Sequence, residues 1–250
     1  MPVSGLSARS KVPSPEGLPR AWLAWSSGKD SLWALHVARQ RRLAHVVGLL
    51  TTVTDDYGRV TMHAVREDLL QVQAAALSLP LHIVRIPAPC SEQEYADLMA
   101  SAMEEAASQA VTHMIFGDLY LEELRAYRER QLAGGNMQAL FPLWGRDTAE
   151  LAAEMVEGGL RAIVTCVDPR VAPRELAGRQ FDKDLLAELP DGPDPCGENG
   201  EFHTFVWDGP GFDQPLEVSV GETVEREGFL FTDVTGRANL RAARVDATQR

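Results

Sequence analysis

From residue 20 onward, short apolar runs alternate with longer segments of helical spacing. Residues 21–25 (AWLAW) read as a short buried strand. Residues 31–42 read as a helix, with Leu32 and Leu35, and Trp33 and Val37, three and four positions apart. A β-branched run at 46–53 predicts a second strand, closed by the turn DDYG. The pattern then gives a helix over 64–79 and a strand over 81–86. The capping box Ser91-Glu92-Gln93-Glu94 opens a helix that runs to about Ala110. A strand over 112–116 ends at Gly117-Asp118, and a charged helix over 119–133 is stopped by Gly134-Gly135. Strands and helices in strict alternation predict an α/β fold, a mostly parallel sheet with helices on both faces. Ligands on such sheets sit at the carboxyl ends of strands, near a topological switch point, where both Ser26–Ser31 and Gly117-Asp118 fall.

After Gly135 the texture changes. A loop containing FPLW leads to a helix capped by Asp147 with Glu150 in the N3 position. LRAIVTCVD is a strong strand, FDKDLLAELP a short helix, and 216–220 and 229–234 are short strand signals. Between them lies DGPDPCGENGEFHTFVWDGPGF, dense in glycine, proline and acids. The expected organisation is a flexible leader over 1–19, a nucleotide-type domain over 20–134, a smaller C-terminal α/β subdomain over 135–236 and a tail over 237–250.

With 250 residues, 45% hydrophobic and 24% charged, the chain has the make-up of a globular protein with a sizeable core. Its formal net charge of -12 makes nucleic acid an unfavoured partner, because a broad grip on phosphates needs a basic surface. Three cysteines (Cys90, Cys166, Cys196) without a CxxC do not form a disulfide framework and predict a reducing compartment. No 18-residue apolar run exists to span a membrane, and the first 20 residues lack the apolar stretch of a secretory signal, so a cytoplasmic location is expected.

One count bears on the loop SSGKDS. Of 24 basic residues only Lys11, Lys29 and Lys183 are lysines, so the lysine in this loop stands out against an arginine background. The loop lacks Walker A spacing: Leu23 stands where that motif needs its first glycine, and Asp30 follows the lysine. It still has the parts of an anion site. Small residues let backbone N–H groups approach phosphates, and the following helix start carries partial positive charge. Lys29 adds a point charge, and Ser26 and Ser31 add hydroxyls. The plainer alternative is a strand-to-helix turn capped by Ser or Asp.

The second candidate is Cys196-Gly197-Glu198-Asn199-Gly200-Glu201-Phe202-His203-Thr204, where two carboxylates, an amide, an imidazole and a hydroxyl crowd nine residues. Strand alternation would put Glu201, His203 and Phe205 on one face and Phe202, Thr204 and Val206 on the other. These groups could position a carboxylate substrate, Mg2+ or ammonia; the alternative is a solvated acidic turn before an edge strand. Cys166 lies in an apolar run and reads as core, Cys196 is better placed for chemistry, and neither has zinc-site spacing. His63 follows a turn near the expected crevice. EELRAYRER at 122–130 reads as a solvated helix face. FPLW at 141–144 suits either an adenine clamp or a hydrophobic contact.

S-x-G-K-D-S after a first strand resembles the PP-loop of the adenine nucleotide alpha-hydrolase superfamily. Together with FGD at 116–118, FPLW, and GENGEFHTFVWDGPGF, it is similar to the diphthine–ammonia ligase family over residues 20–226. That resemblance implies a Rossmann-like (HUP-type) domain that binds ATP and cleaves it between the α and β phosphates. It implies an acceptor carboxylate, on a small molecule or a protein side chain, that is adenylated and then amidated by ammonia. On this chain Ser26, Ser27, Gly28, Lys29, Asp30 and Ser31 would hold the pyrophosphate portion, Asp30 through Mg2+. Gly117 and Asp118 would lie near the nucleotide. Glu198, Asn199, Glu201, His203 and Thr204 would face the acceptor or ammonia, with Lys29, Asp30, Glu198, Glu201 and His203 carrying the catalysis. Ser27 stands where the family's loop usually has glycine, and His203 where its eukaryotic and archaeal members more often carry an acid. Other functions open to the wider superfamily are a non-catalytic adenine-nucleotide sensor and ATP-dependent thiolation of RNA, and a homodimer is open as an assembly.

Overall fold

The computed structural model describes residues 17–54, 59–60 (as backbone), 65–135 and 137–236. The DDYG turn, His63, residues 237–250 and most of the expected leader lie outside the described residues. In chain order the first half contains β1 (Arg20–Ala24), α1 (Lys29–Gln40), β2 (His45–Thr54), β3 (Arg59–Val60), α2 (Glu67–Ala76), β4 (Leu81–Ile86), α3 (Glu92–Ser108), β5 (His113–Ile115), α4 (Glu122–Ala133) and β6 (Gln138–Leu140). The second half contains α5 (Thr148–Glu157), β7 (Arg161–Val167), α6 (Lys183–Glu188), β8 (Phe202–Asp208), β9 (Val218–Arg226) and β10 (Phe229–Gly236).

Five strands form a parallel sheet in the order β4-β2-β1-β5-β6, and β3 adds an antiparallel pairing to the far end of β2. The fold is the expected Rossmann-like α/β arrangement. β6 is too short, at three residues, for any periodic signal, and it returns the chain to the first sheet after Gly134-Gly135. The remaining strands make a smaller antiparallel sheet in the order β8-β7-β10-β9. Among the described residues no helix is long and apolar enough to cross a membrane.

Alternation along β1 shows how the layers arise. Ala21 and Leu23 point into a core shared with α1, α2, α5 and the second sheet, while Trp22 points into a separate core with α3 and α4. β1 lies between β2 and β5, so the connections leave it in opposite directions and open a crevice at its carboxyl end. β8 delivers the second half to this crevice: Val206 donates its N–H to the Ser27 carbonyl at 2.9 Å.

Candidate functional site

The chain leaves β1 through a loop of small residues. Ser27 has φ +70°, a left-handed conformation uncommon outside glycine and disfavoured by its Cβ. Gly28 is the N-cap of α1 and has no side chain to cap it, so other groups meet the first amides. Thr204 Oγ1 accepts the Lys29 N–H at 3.1 Å. A Cβ on Gly28 would stand 3.1 Å from the Thr204 carbonyl oxygen, and one on Gly117 would stand 2.9 Å from the carbonyl carbon of Asp30. Both glycines are therefore present for close backbone approach. Ser26 Oγ receives the Gly28 N–H at 3.3 Å, and Ser31 Oγ donates to the Gly28 carbonyl at 2.8 Å.

Lys29 is buried with its ammonium enclosed. Nζ pairs with Asp30 Oδ2 at 2.8 Å, donates to the Cys196 carbonyl, and lies 5.4 Å and 5.7 Å from the ring centroids of Phe202 and Phe181. Burial pulls its pKa down, but the attraction of Asp30, with Glu198 adding to it, outweighs that, and the net shift is upward. Asp30 is shifted upward as well: burial raises it, Asp194 adds repulsion, and Lys29 offsets these only in part. Thus the lysine is held firmly charged while the carboxylate beside it is costly to ionise.

The tract from the second half is built around its own carboxylates. Glu201 is buried, and its oxygens accept from the Asp194 N–H (3.0 Å), the Asn199 N–H (3.0 Å) and Asn199 Nδ2 (2.9 Å). Asp194 Oδ1 accepts from the N–H groups of Cys196 (2.8 Å) and Glu198 (3.2 Å). Gly197 turns with φ +68° where a Cβ would come within 2.7 Å of the Phe202 carbonyl oxygen. Glu198 reaches across to the β5–α4 connection and accepts the Leu119 N–H at 2.7 Å. Burial raises its carboxyl to about 7, with added repulsion from Asp30 and Asp118. His203 is lowered to about 4, by burial first and then by Lys29, so its imidazole is neutral near pH 7.

These parts share one cavity of about 690 Å³. Ser26, Gly28, Lys29, Asp30, Ser31, Gly117, Asp118, Glu198, His203 and Thr204 all contribute to its wall. Ser27, Asn199 and Glu201 do not: Ser27 is buried behind the loop, and Glu201 and Asn199 are bonded to each other within the tract. FPLW stands aside too. Phe141 and Trp144 hold the Arg125 guanidinium at 4.9 Å and 4.7 Å from their ring centroids, outside the cavity wall.

The other half of the cavity went unread in the sequence. Tyr95, Met99 and Met103 of α3 and Tyr127 and Arg128 of α4 line an apolar end next to Met114 and Phe116. Their spacing of four on α3 was visible, but a cavity-facing stripe and a core-facing stripe have the same period. Part of the segment expected to be solvated therefore faces the cavity. Arg128 lies 5.1 Å from the Phe116 ring centroid and 3.8 Å from Asp118 Oδ2, too far for a hydrogen bond.

Oxygens suited to a cation are present but sparse. Asp30 Oδ1 and Asp118 Oδ2 are buried without a hydrogen-bond partner among the described residues. Burial raises the Asp118 carboxyl, Arg128 lowers it, and Asp30 raises it further. Among the described residues no three His, Cys, Asp or Glu side chains are arranged to hold a metal by themselves. That donor set suits Mg2+ shared with ligand phosphates, and does not suit an all-protein cage. The thiols of Cys166 and Cys196 are poor nucleophiles: burial pushes Cys166 up to about 12 and pushes Cys196 upward as well, with Cys196 Sγ 3.3 Å from the Thr148 carbonyl oxygen.

Similarity to known proteins covers both halves of the chain. Residues 20–133 match the diphthamide synthase N-terminal domain, and residues 147–238 match the diphthamide synthase C-terminal domain. A protein of Danio rerio named diphthine–ammonia ligase is 29% identical over 196 residues, 72% of this chain and 77% of its own length. Proteins of the same name from Bos taurus and Mus musculus are 25% and 24% identical, covering 84% and 88% of this chain and 86% and 89% of their own.

Proposed function

This chain belongs to the diphthamide synthase family, and on that premise we propose that it is an ATP-dependent amide ligase. In this reading ATP is a substrate, cleaved to AMP and pyrophosphate, and ammonia is joined to an acceptor carboxylate. The observation that carries the reading is the single cavity in which a glycine-rich loop at a helix start faces Glu198, His203 and Thr204 from the second half. A site that only bound nucleotide would have no need of the second set.

The loop would hold the β and γ phosphates through backbone N–H groups, the Ser26 and Ser31 hydroxyls and the start of α1. Lys29 contributes charge from within its cage, stabilising negative charge that develops on departing pyrophosphate. Asp30 and Asp118 would supply oxygen to Mg2+, which when bound neutralises phosphate charge. Glu198 is the better proton acceptor for the incoming nitrogen, because its pKa of about 7 matches neutral operation, whereas His203 at about 4 is a weak base. Neutral His203 is suited to orient ammonia or the acceptor by hydrogen bonding. The apolar end beside Met99 and Met103 has room for the uncharged part of a ligand. Thiolation of RNA is disfavoured by the buried, protonated thiols of Cys166 and Cys196 and by the acidic charge.

The test is incubation with ATP, Mg2+ and ammonium against a panel of carboxylates that includes a diphthine-bearing peptide. AMP and pyrophosphate should appear in equal amounts and depend on both ammonium and acceptor. Release of ADP and phosphate would overturn the reading, and tight ATP binding without turnover on any acceptor would favour a nucleotide sensor.

A further inference from the structure

Gln73, on α2, lies outside the cavity wall and is completely buried. Its amide joins three segments at once. Oε1 accepts the Trp25 indole N–H at 3.0 Å, and Nε2 donates to the Ser27 carbonyl at 3.1 Å and to the Val206 carbonyl at 2.7 Å. The indole can only donate and the two carbonyls can only accept, so the orientation of the amide is fixed by chemistry. Both amide hydrogens are used, and the group is the sole side chain that bonds the end of β1, the loop and β8 together among the bonds described.

The consequence falls on one peptide. The Ser27 carbonyl is held by two donors, Gln73 Nε2 and the Val206 N–H. In a trans peptide the carbonyl and the following N–H point in opposite directions. Fixing the carbonyl toward α2 and β8 therefore turns the Gly28 N–H the other way, where it meets Ser26 Oγ in the cavity wall. Ser27 at φ +70° is a strained residue that persists only when its surroundings over-determine it. Two donors on one carbonyl supply that determination.

We propose that Gln73 is a positioning residue for the anion site: it holds the Ser27–Gly28 peptide in the one orientation that presents the Gly28 N–H to a bound pyrophosphate group. This rests on the nucleotide reading above and deepens it, since Gln73 itself touches no ligand. The donated hydrogen bond is to a charged acceptor, so its loss weakens binding by about tenfold or more.

The test compares wild type with Gln73→Met, which keeps length and apolar packing but removes all three hydrogen bonds. Inorganic pyrophosphate and Mg2+-ATP are titrated by calorimetry at a temperature where circular dichroism shows both proteins folded. The 15N shift of the Gly28 amide is followed in the same titrations. The expected result is weaker binding of both ligands in the variant, at least about tenfold, with the Gly28 amide no longer responding to either. Unchanged affinity in folded Gln73→Met overturns the proposal. Should that variant fail to fold, Gln73→Glu, which keeps the length and the acceptor for Trp25 but cannot supply both donated hydrogens, takes its place with the same two outcomes, and wild-type pyrophosphate binding that leaves Gly28 unmoved also overturns the proposal. Wild-type protein that binds neither ligand would sink the nucleotide reading as well, whereas wild-type binding with an unaffected variant removes only the role of Gln73.

Discussion

The loop at 26–31 and the tract at 194–204 face the same cavity, yet they use their polar groups in opposite ways. The loop is shaped by backbone: left-handed Ser27, uncapped Gly28 and the close approach of Gly117 leave Asp30 and the hydroxyls of Ser26 and Ser31 at the cavity wall. The tract is shaped by side chains: Glu201 and Asp194 spend their oxygens on backbone N–H groups so that Glu198 and His203 can face the ligand space. Lys29 bridges the two, since its ammonium binds a carboxylate of the loop and a carbonyl of the tract. The lesson is that carboxylates crowded in sequence need not share a task.

That contrast is broken most severely at Lys29. Replacing it with methionine leaves Asp30 without its cation and frees the Cys196 carbonyl. We predict a loss of about 2–3 kcal/mol, below the range for fully buried pairs because Asp30 keeps some contact with solvent. AMP release should vanish in the same variant. Urea unfolding and a pyrophosphate-coupled assay measure the two effects, and normal turnover would show that the bridge is dispensable.

Glu201→Ala tests whether the tract is a scaffold. It removes the acceptor for three hydrogen bonds, and about 2 kcal/mol of stability should go with it. Turnover should fall because Glu198 loses its support. A stability change within about 0.5 kcal/mol would mean that the tract holds its shape without this carboxylate.

Glu198→Gln gives a smaller effect with a distinctive pH dependence. The carboxyl holds its proton more tightly in the folded protein than in the unfolded chain, so ionising it opposes folding. This cost begins near the ordinary value of 4.5, grows with rising pH and levels off above about 7. The variant should therefore gain stability relative to wild type between pH 5 and pH 8 while losing activity. Parallel stability curves for the two proteins across that interval would contradict the placement of Glu198 beside Asp30 and Asp118.

The smallest effect is expected at Ser27→Gly, where a glycine relieves the left-handed strain but adds freedom to the unfolded chain. The balance should be a gain of less than about 1 kcal/mol with turnover retained. A clear loss of stability would show that the buried Ser27 hydroxyl makes a contribution that its lack of a hydrogen-bond partner among the described residues does not suggest.

Much of this protein could be read from local chemistry. Hydrophobic period, the Ser91 capping box and the glycines after strands are signals written over a few neighbouring residues, and the parallel sheet with its loops at strand ends follows from their order. The loop and the tract were both recognisable as chemistry because unusual residue types crowd together in each. What needed the folded chain was the division of labour. Glu198 and Glu201 are the same residue type three positions apart, and only the positions of Leu119, Asp194 and Asn199 make one a cavity-facing acid and the other a fastener. Gln73 and the stripe Tyr95, Met99, Met103 looked like ordinary helix positions, since periodicity tells which side faces inward but not what lies there. Partners 48 and 133 residues away give Gln73 its role, and burial sets the protonation of Glu198 and His203. Both depend on distance in space, a quantity that spacing along the chain does not contain.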